Sequence, residues 1–173
     1  SIAEKSELNQ GLIFYHFGSV TNLLLAALDK VSADRMTAYR EEVAGAATPS
    51  ELVEVAARIF KNDLASGYVK VLVEMIAGAG SSSQLRSEVA ARIQPWFAFS
   101  QGALDGALPS SGVADILPTG DIAYAVVAMY LGLELLTHLQ GDDAPAIRLF
   151  ELAGRLATMV TAMPPGTDGE AKR

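Results

Sequence analysis

Residues 121–140, DIAYAVVAMYLGLELLTHLQ, constrain the fold more than any other stretch of this chain. Read at helical spacing, one face carries Val127, Leu131 and Leu135. The opposite face, through Ile122, Val126, Met129, Leu133 and Leu136, is apolar as well. A helix apolar all round has to be covered all round. Its uncharged run, Ile122 to Leu133, is too short to span a bilayer and ends at Glu134. The segment therefore reads as the inner helix of a soluble bundle, with no membrane as partner.

The rest of the chain offers helices to cover it. Alanine and leucine carry most of the apolar content and aromatics only 7%, a balance that favours helix over sheet. Leu24, Leu28, Val31 and Met36 recur at helical spacing through a long helix from about Val20 to Val43. Thr48-Pro49-Ser50 opens the next helix, 51–65, with Ser50 as its expected cap. A mostly buried segment, 68–77, and a glycine-serine loop, 78–83, follow. Residues 84–108 form a long helix with an expected kink at Pro95. A Pro, Ser and Gly-rich loop, 109–120, leads to helix 121–140, the turn Gly141-Asp142-Asp143, and helix 144–163. A polar tail, 164–173, closes the chain. The predicted class is all-α.

Helix 144–163 gathers Arg148, Glu151 and Arg155 on one side. One flank carries Leu149, Leu152, Leu156, Met159 and Val160; another is small, with Gly154, Ala157, Thr158 and Thr161, and would permit close helix approach. So few helices cannot cover both flanks of the last two elements. The economical solution is a homodimer with a four-helix interface. Its expected contacts are Ile122, Met129, Leu133, Leu136, Phe150, Gly154, Ala157, Thr158 and Thr161.

The amino-terminal run NQGLIFYHFGS, residues 9–19, puts three aromatics and a histidine into positions 14–17. That is a poor choice for an ordinary helix, because such side chains lose rotamer freedom against the preceding turn. A short helix gripping something outside the domain justifies it. Ile2-Ala3-Glu4-Lys5-Ser6 forms an amphipathic turn, Glu7-Leu8 breaks it, and Asn9 is placed to cap a new helix. Helix, turn and capped short helix is the helix-turn-helix layout, whose second helix enters the DNA major groove.

These residues resemble the TetR family of bacterial transcription regulators. The family pattern runs roughly Ile-Ala-x-x-Ala-Gly-Val-Ser-x-Gly-x-Ile/Leu-Tyr-x-His-Phe-x-Ser-Lys, then a leucine-rich helix. Ile2, Ala3, Gly11, Ile13, His16, Phe17 and Ser19 match it, and Leu23 to Leu28 supply the helix. The likeness covers the first thirty or so residues; beyond them only the architecture is similar. It implies that 1–44 hold the end of a DNA-binding domain with its connecting helix, and 45–173 a ligand-binding and dimerisation domain. It implies DNA contact through Asn9, Gln10, Gly11, Leu12, Tyr15, His16 and Ser19. Asn and Gln read adenine edges, and Tyr and His reach phosphates or bases. The plainer alternative is that Asn9 only caps and Tyr15 only packs; Ile13, Phe14 and Phe17 read as core.

Three departures bear on strength. Glu7-Leu8-Asn9 replaces Gly-Val-Ser, Phe14 replaces a tyrosine, and Val20 replaces a lysine. Each lost phosphate contact weakens non-specific affinity and flattens its salt dependence. The net charge of −7 excludes a protein that coats nucleic acid indiscriminately. Ser1 falls within a helix-like pattern that needs a supporting first helix, so roughly 20–40 further residues are expected upstream.

Phe60, Met75, Trp96, Phe97, Phe99 and Tyr124 are candidates to line an apolar ligand cavity, with Glu134 and His138, one turn apart, as its polar groups. A fully packed core and a plain hydrogen-bonded pair are the alternatives. No nucleophile–base constellation, phosphate-cradling loop or metal motif stands out, so neither an enzyme nor a cofactor is implied. The absence of cysteine and of a visible signal peptide suits a bacterial cytoplasm. The sequence thus points to a ligand-responsive transcriptional regulator. Its expected partners are double-stranded operator DNA, a small apolar effector and a second copy of itself. Repression is what the resemblance implies. The rival is a helical small-molecule- or partner-binding dimer without effective DNA binding, favoured by Phe14, Val20 and the acidic balance.

Overall fold

The computed structural model describes residues 10–66, 72, 73, 75, 82–108 and 118–162. Among them the fold is all-α, with no strand. The helices are α1 (Gln10–Phe17), α2 (Val20–Val43), α3 (Pro49–Ser66), α4 (Ser83–Ala107), α5 (Thr119–Gln140) and α6 (Ala144–Ala162). Asn9, the segment 68–71 and most of the loop before α5 lie outside the described residues.

Local chemistry sets the boundaries. Gly18 takes a left-handed φ of 71°, which only glycine adopts at no steric cost, and so separates α1 from α2. Ser19 caps α2 by accepting from the Asn22 amide at 3.0 Å. The Asn22 side chain donates back to the Phe17 carbonyl at 2.9 Å, tying the end of α1 to the first turn of α2. At α3 the expected cap moves by two residues. The Thr48 hydroxyl, not Ser50, accepts from the Glu51 amide at 3.2 Å, and the Glu51 carboxylate accepts from the Thr48 amide at 3.1 Å. That reciprocal pair is a capping box, with Pro49 in the first helical position where its missing N–H costs nothing. Ser50 is turned instead toward Thr158 on α6, 3.3 Å between hydroxyl oxygens. Ser82 caps α4, which runs on through Pro95 as one continuous helix. Gly141, at φ 68°, ends α5, and Asp142 accepts from the Ala144 amide to start α6.

Packing is dominated by two helix pairs, α3 on α6 and α4 on α5. Three apolar clusters join them. Leu25, Leu28, Leu72, Met75 and Val89 form one between α2 and α4. Tyr39, Val55 and Ile59 form the second, with Trp96, Phe99 and Tyr130 against it. Phe60, Ala146 and Phe150 form the third; the Phe60 ring meets Tyr130 edge-on at 5.5 Å and Phe150 at 5.3 Å.

The expected burial of α5 on every side is not met within one chain. Ala123, Val127 and Glu134 are buried, but Tyr124, Met129, Leu136 and Leu139 are exposed. By length and composition alone, its 22 residues are apolar enough to cross a membrane. On α6 the small flank serves a neighbour in the same chain. A Cβ on Gly154 would lie 3.9 Å from Val53, so α3 approaches closely there. The leucine flank, Leu149, Leu152, Leu156 and Met159, is the one left open.

Candidate functional site

Among the described residues, two places are candidates for function: a cavity inside the bundle and the short helix α1, with its exposed Tyr15 and His16.

The cavity measures about 350 Å³, within the range of small-molecule sites. Leu28, Ser32, Arg35 and Tyr39 of α2 form one wall, and Leu52, Ile59 and Asp63 of α3 another. Trp96, Phe99 and Ala103 come from α4, Val126, Tyr130 and Glu134 from α5, and Phe150 and Ala157 from α6. Five helices therefore meet around one largely apolar space.

Its polar end is organised on Asp63, only 5% exposed. Val55, Ile59 and Asp63 fall at four-residue intervals, so the carboxylate sits where the apolar stripe of α3 points inward. Arg35 donates to Asp63 Oδ1, as does the Tyr39 hydroxyl; the Tyr130 hydroxyl donates to Oδ2 at 2.7 Å. The other arm of Arg35 donates to Ser66, whose hydroxyl donates to the Asp63 carbonyl at 2.7 Å. A buried carboxylate survives only with such partners. Burial raises both tyrosine hydroxyls far above their ordinary range, and Asp63 beside them raises them further, so both remain protonated donors. Beside Tyr39, the Trp96 indole donates to Ser32 at 3.1 Å and fixes α4 to α2.

Glu134 is different. It is 1% exposed, and its Oε1 is buried with no hydrogen-bond partner among the described residues. Burial and then the charge of Asp63 raise its pKa to about 8, against a smaller opposing pull from Arg35. Its carboxyl is largely neutral at pH 7.

Of the ligand residues expected from sequence, Trp96, Phe99 and Glu134 line this cavity. Phe60 and Met75 lie in the packed clusters beside it. Phe97 and Tyr124 stack on each other at 5.2 Å, with Tyr124 well exposed, and His138 lies on the surface one turn beyond Glu134. Arg35, Tyr39, Asp63 and Tyr130 were not anticipated. The available signal was a charged residue on the apolar stripe of α3.

Among the expected dimer contacts, Ile122, Met129, Phe150 and Ala157 line the cavity. Leu133 packs beside Phe60, Gly154 and Thr158 meet α3, and Leu136 is exposed. The side chain of Thr161 lies outside the described residues.

At the amino-terminal end, α1 presents Tyr15, 83% exposed, beside an exposed His16; their rings meet edge-on at 5.3 Å. Gly11 is exposed, and Ser19 is engaged as the cap of α2. The side chains of Gln10 and Leu12 lie outside the described residues.

Compared with known proteins, the chain matches no family model, no curated sequence and no solved structure.

Proposed function

We propose that this protein is a ligand-responsive regulator of transcription, a homodimer whose helical body holds a small apolar effector and whose amino-terminal helices read an operator. The observation that carries this reading is the placement of α2. One continuous helix is tied at its start to α1, through Asn22 and Phe17, and lines the cavity with Leu28, Ser32, Arg35 and Tyr39. Occupancy of the cavity and the pose of α1 therefore share a rigid element. A ligand shifts that pose only by the difference in its affinity for the two arrangements.

The resemblance of residues 2–19 to the TetR pattern supports the DNA role, with α1 as the groove-entering helix and Tyr15 and His16 as its exposed side chains. The dimer is supported by the open apolar stripes. Leu149, Leu152, Leu156 and Met159 recur at three- and four-residue steps, as do Met129, Gly132, Leu136 and Leu139. That spacing suits a four-helix interface of α5 and α6 with their copies. Two α1 helices one DNA turn apart would then match a near-palindromic site, where repression by occlusion in a bacterial cytoplasm is the simplest outcome.

The test is a fluorescence-anisotropy titration of the full-length protein at low salt, with DNA from upstream of its own gene. Preference for one near-palindromic segment over a scrambled duplex is expected. Equal affinity for both would leave a ligand-binding dimer without operator recognition.

A further inference from the structure

We infer that the cavity is built for an apolar molecule carrying a protonated amine, held by Glu134. The inference rests on the ligand-cavity reading above and names the class of ligand.

The argument starts from charge. Two carboxyl groups, Asp63 and Glu134, share the polar end of the cavity with the guanidinium of Arg35. Arg35 is engaged by Asp63 and Ser66, and both tyrosine hydroxyls are directed at Asp63. Arg92, on the α4 wall, is paired with Asp29 and Glu88, its guanidinium 2.7 Å from Asp29 and 2.6 Å from Glu88. Glu134 Oε1 is left as a buried acceptor that no donor among the described residues serves. An unserved buried acceptor is costly, and Glu134 can ionise beside Asp63 only when a further positive charge enters the site.

An ammonium group supplies the hydrogen bond that Oε1 lacks and the charge that lets Glu134 ionise beside Asp63. The aromatic residues Tyr39, Trp96, Phe99 and Tyr130 border the same space, and aromatic rings favour a cation where a face is presented to it. A carboxylate ligand would meet the charge of Asp63. A neutral alcohol would satisfy Oε1 but bring no charge for Glu134 to pair with on ionising.

A proton balance follows. In the empty cavity Glu134 is mostly protonated at pH 7, held there by burial and Asp63. The amine enters with its own proton, Glu134 ionises, and one proton leaves to solvent for each ligand bound. Amine affinity therefore rises about tenfold per pH unit below pH 8 and levels off between there and the amine's own pKa of about 10. A ligand that accepts a hydrogen bond from protonated Glu134 would show the opposite slope.

Trp96, the sole tryptophan, lines the cavity and reports binding through its emission. The experiment titrates the full-length protein with phenylbutylamine, phenylbutanol and phenylbutanoate at pH 6, 7 and 8. The amine is expected to bind at least tenfold more tightly than either partner at pH 8, with the rising slope. Glu134→Gln is expected to level amine and alcohol and abolish the slope. Equal or tighter binding of the alcohol or carboxylate, or an amine affinity flat from pH 6 to 8 in the unmodified protein, overturns the amine assignment while leaving a ligand cavity standing. No response of Trp96 to any of the three at millimolar concentration overturns the cavity reading itself.

Discussion

Tyr130 and Glu134 stand one turn apart on the same face of α5 and meet opposite fates. The Tyr130 hydroxyl donates to Asp63 at 2.7 Å, while the fully buried Glu134 Oε1 accepts from no donor among the described residues. Asp63 explains the difference. It draws Arg35, Tyr39 and Tyr130 to itself, and Glu134 Oε1 is left without a donor from any of them. Leaving one buried acceptor unserved costs about 1–3 kcal/mol. Natural folds tolerate that where a ligand completes the set.

Glu134 makes stability depend on pH. Its pKa is raised from 4.5 to about 8 by burial, so the folded chain holds a proton that the unfolded chain releases. The stability this proton confers is fully present below the unfolded value and is lost as pH rises through the folded one, by up to about 1.4 kcal/mol per pH unit. Urea unfolding at pH 5, 6, 7 and 8 should show that decline. Glu134→Gln should flatten it, and an unchanged slope in the variant would assign the effect to another group.

Asp63 should be the most costly polar position in the body. Asp63→Asn leaves Arg35 without its countercharge in a buried setting, and about 3–5 kcal/mol should be lost. Tyr130→Phe removes one donor among several and should cost about 1 kcal/mol. Denaturant midpoints compare the two; equal losses would contradict the central place given to the ion pair.

The open stripe on α6 predicts an oligomer. Leu152→Glu with Leu156→Glu changes side chains already exposed in the single chain, so the isolated fold should shift by less than about 0.5 kcal/mol per site. Sedimentation should nevertheless show a dimer becoming a monomer. A variant that still sediments as a dimer would move the interface elsewhere.

Tyr15→Ala and His16→Ala should weaken operator binding by about tenfold or more each, the usual scale for a lost base or strong phosphate contact. Both side chains are exposed and neither lines the cavity, so quenching of Trp96 by an amine should not change. Unaltered DNA affinity in both variants would remove α1 from the DNA-reading role.

Much of this architecture could be read along the chain, and the exceptions are physical. The start of α2 follows from Gly18-Ser19 and its span from the apolar recurrence, Leu24 through Met36. The α3 start was misplaced because Ser50 and Thr48 are equally good caps in isolation. Only Glu51, three residues after Thr48, completes the reciprocal bond. Arg35 and Asp63 are 28 positions apart on different helices, and periodicity carries no information about which charges meet. Phe60 and Trp96 look alike as large apolar residues. Whether one fills a packed cluster and the other borders a cavity depends on how five helices converge. The two flanks of α6 were visible, but either one pattern suits a neighbour. Close approach of Val53 to Gly154 decides that the small flank takes α3.

The tie between Asn22 and Phe17 makes α2 a lever arm. At the helical rise per residue, Arg35 and Tyr39 sit roughly 22–29 Å along the rod from its first turn. A tilt of about 5° at the Asp63 end then sweeps α1 sideways by roughly 2 Å. Repositioning on that scale is enough to take a side chain out of register with a base edge, so small movements where Arg35 meets Asp63 are magnified at Tyr15.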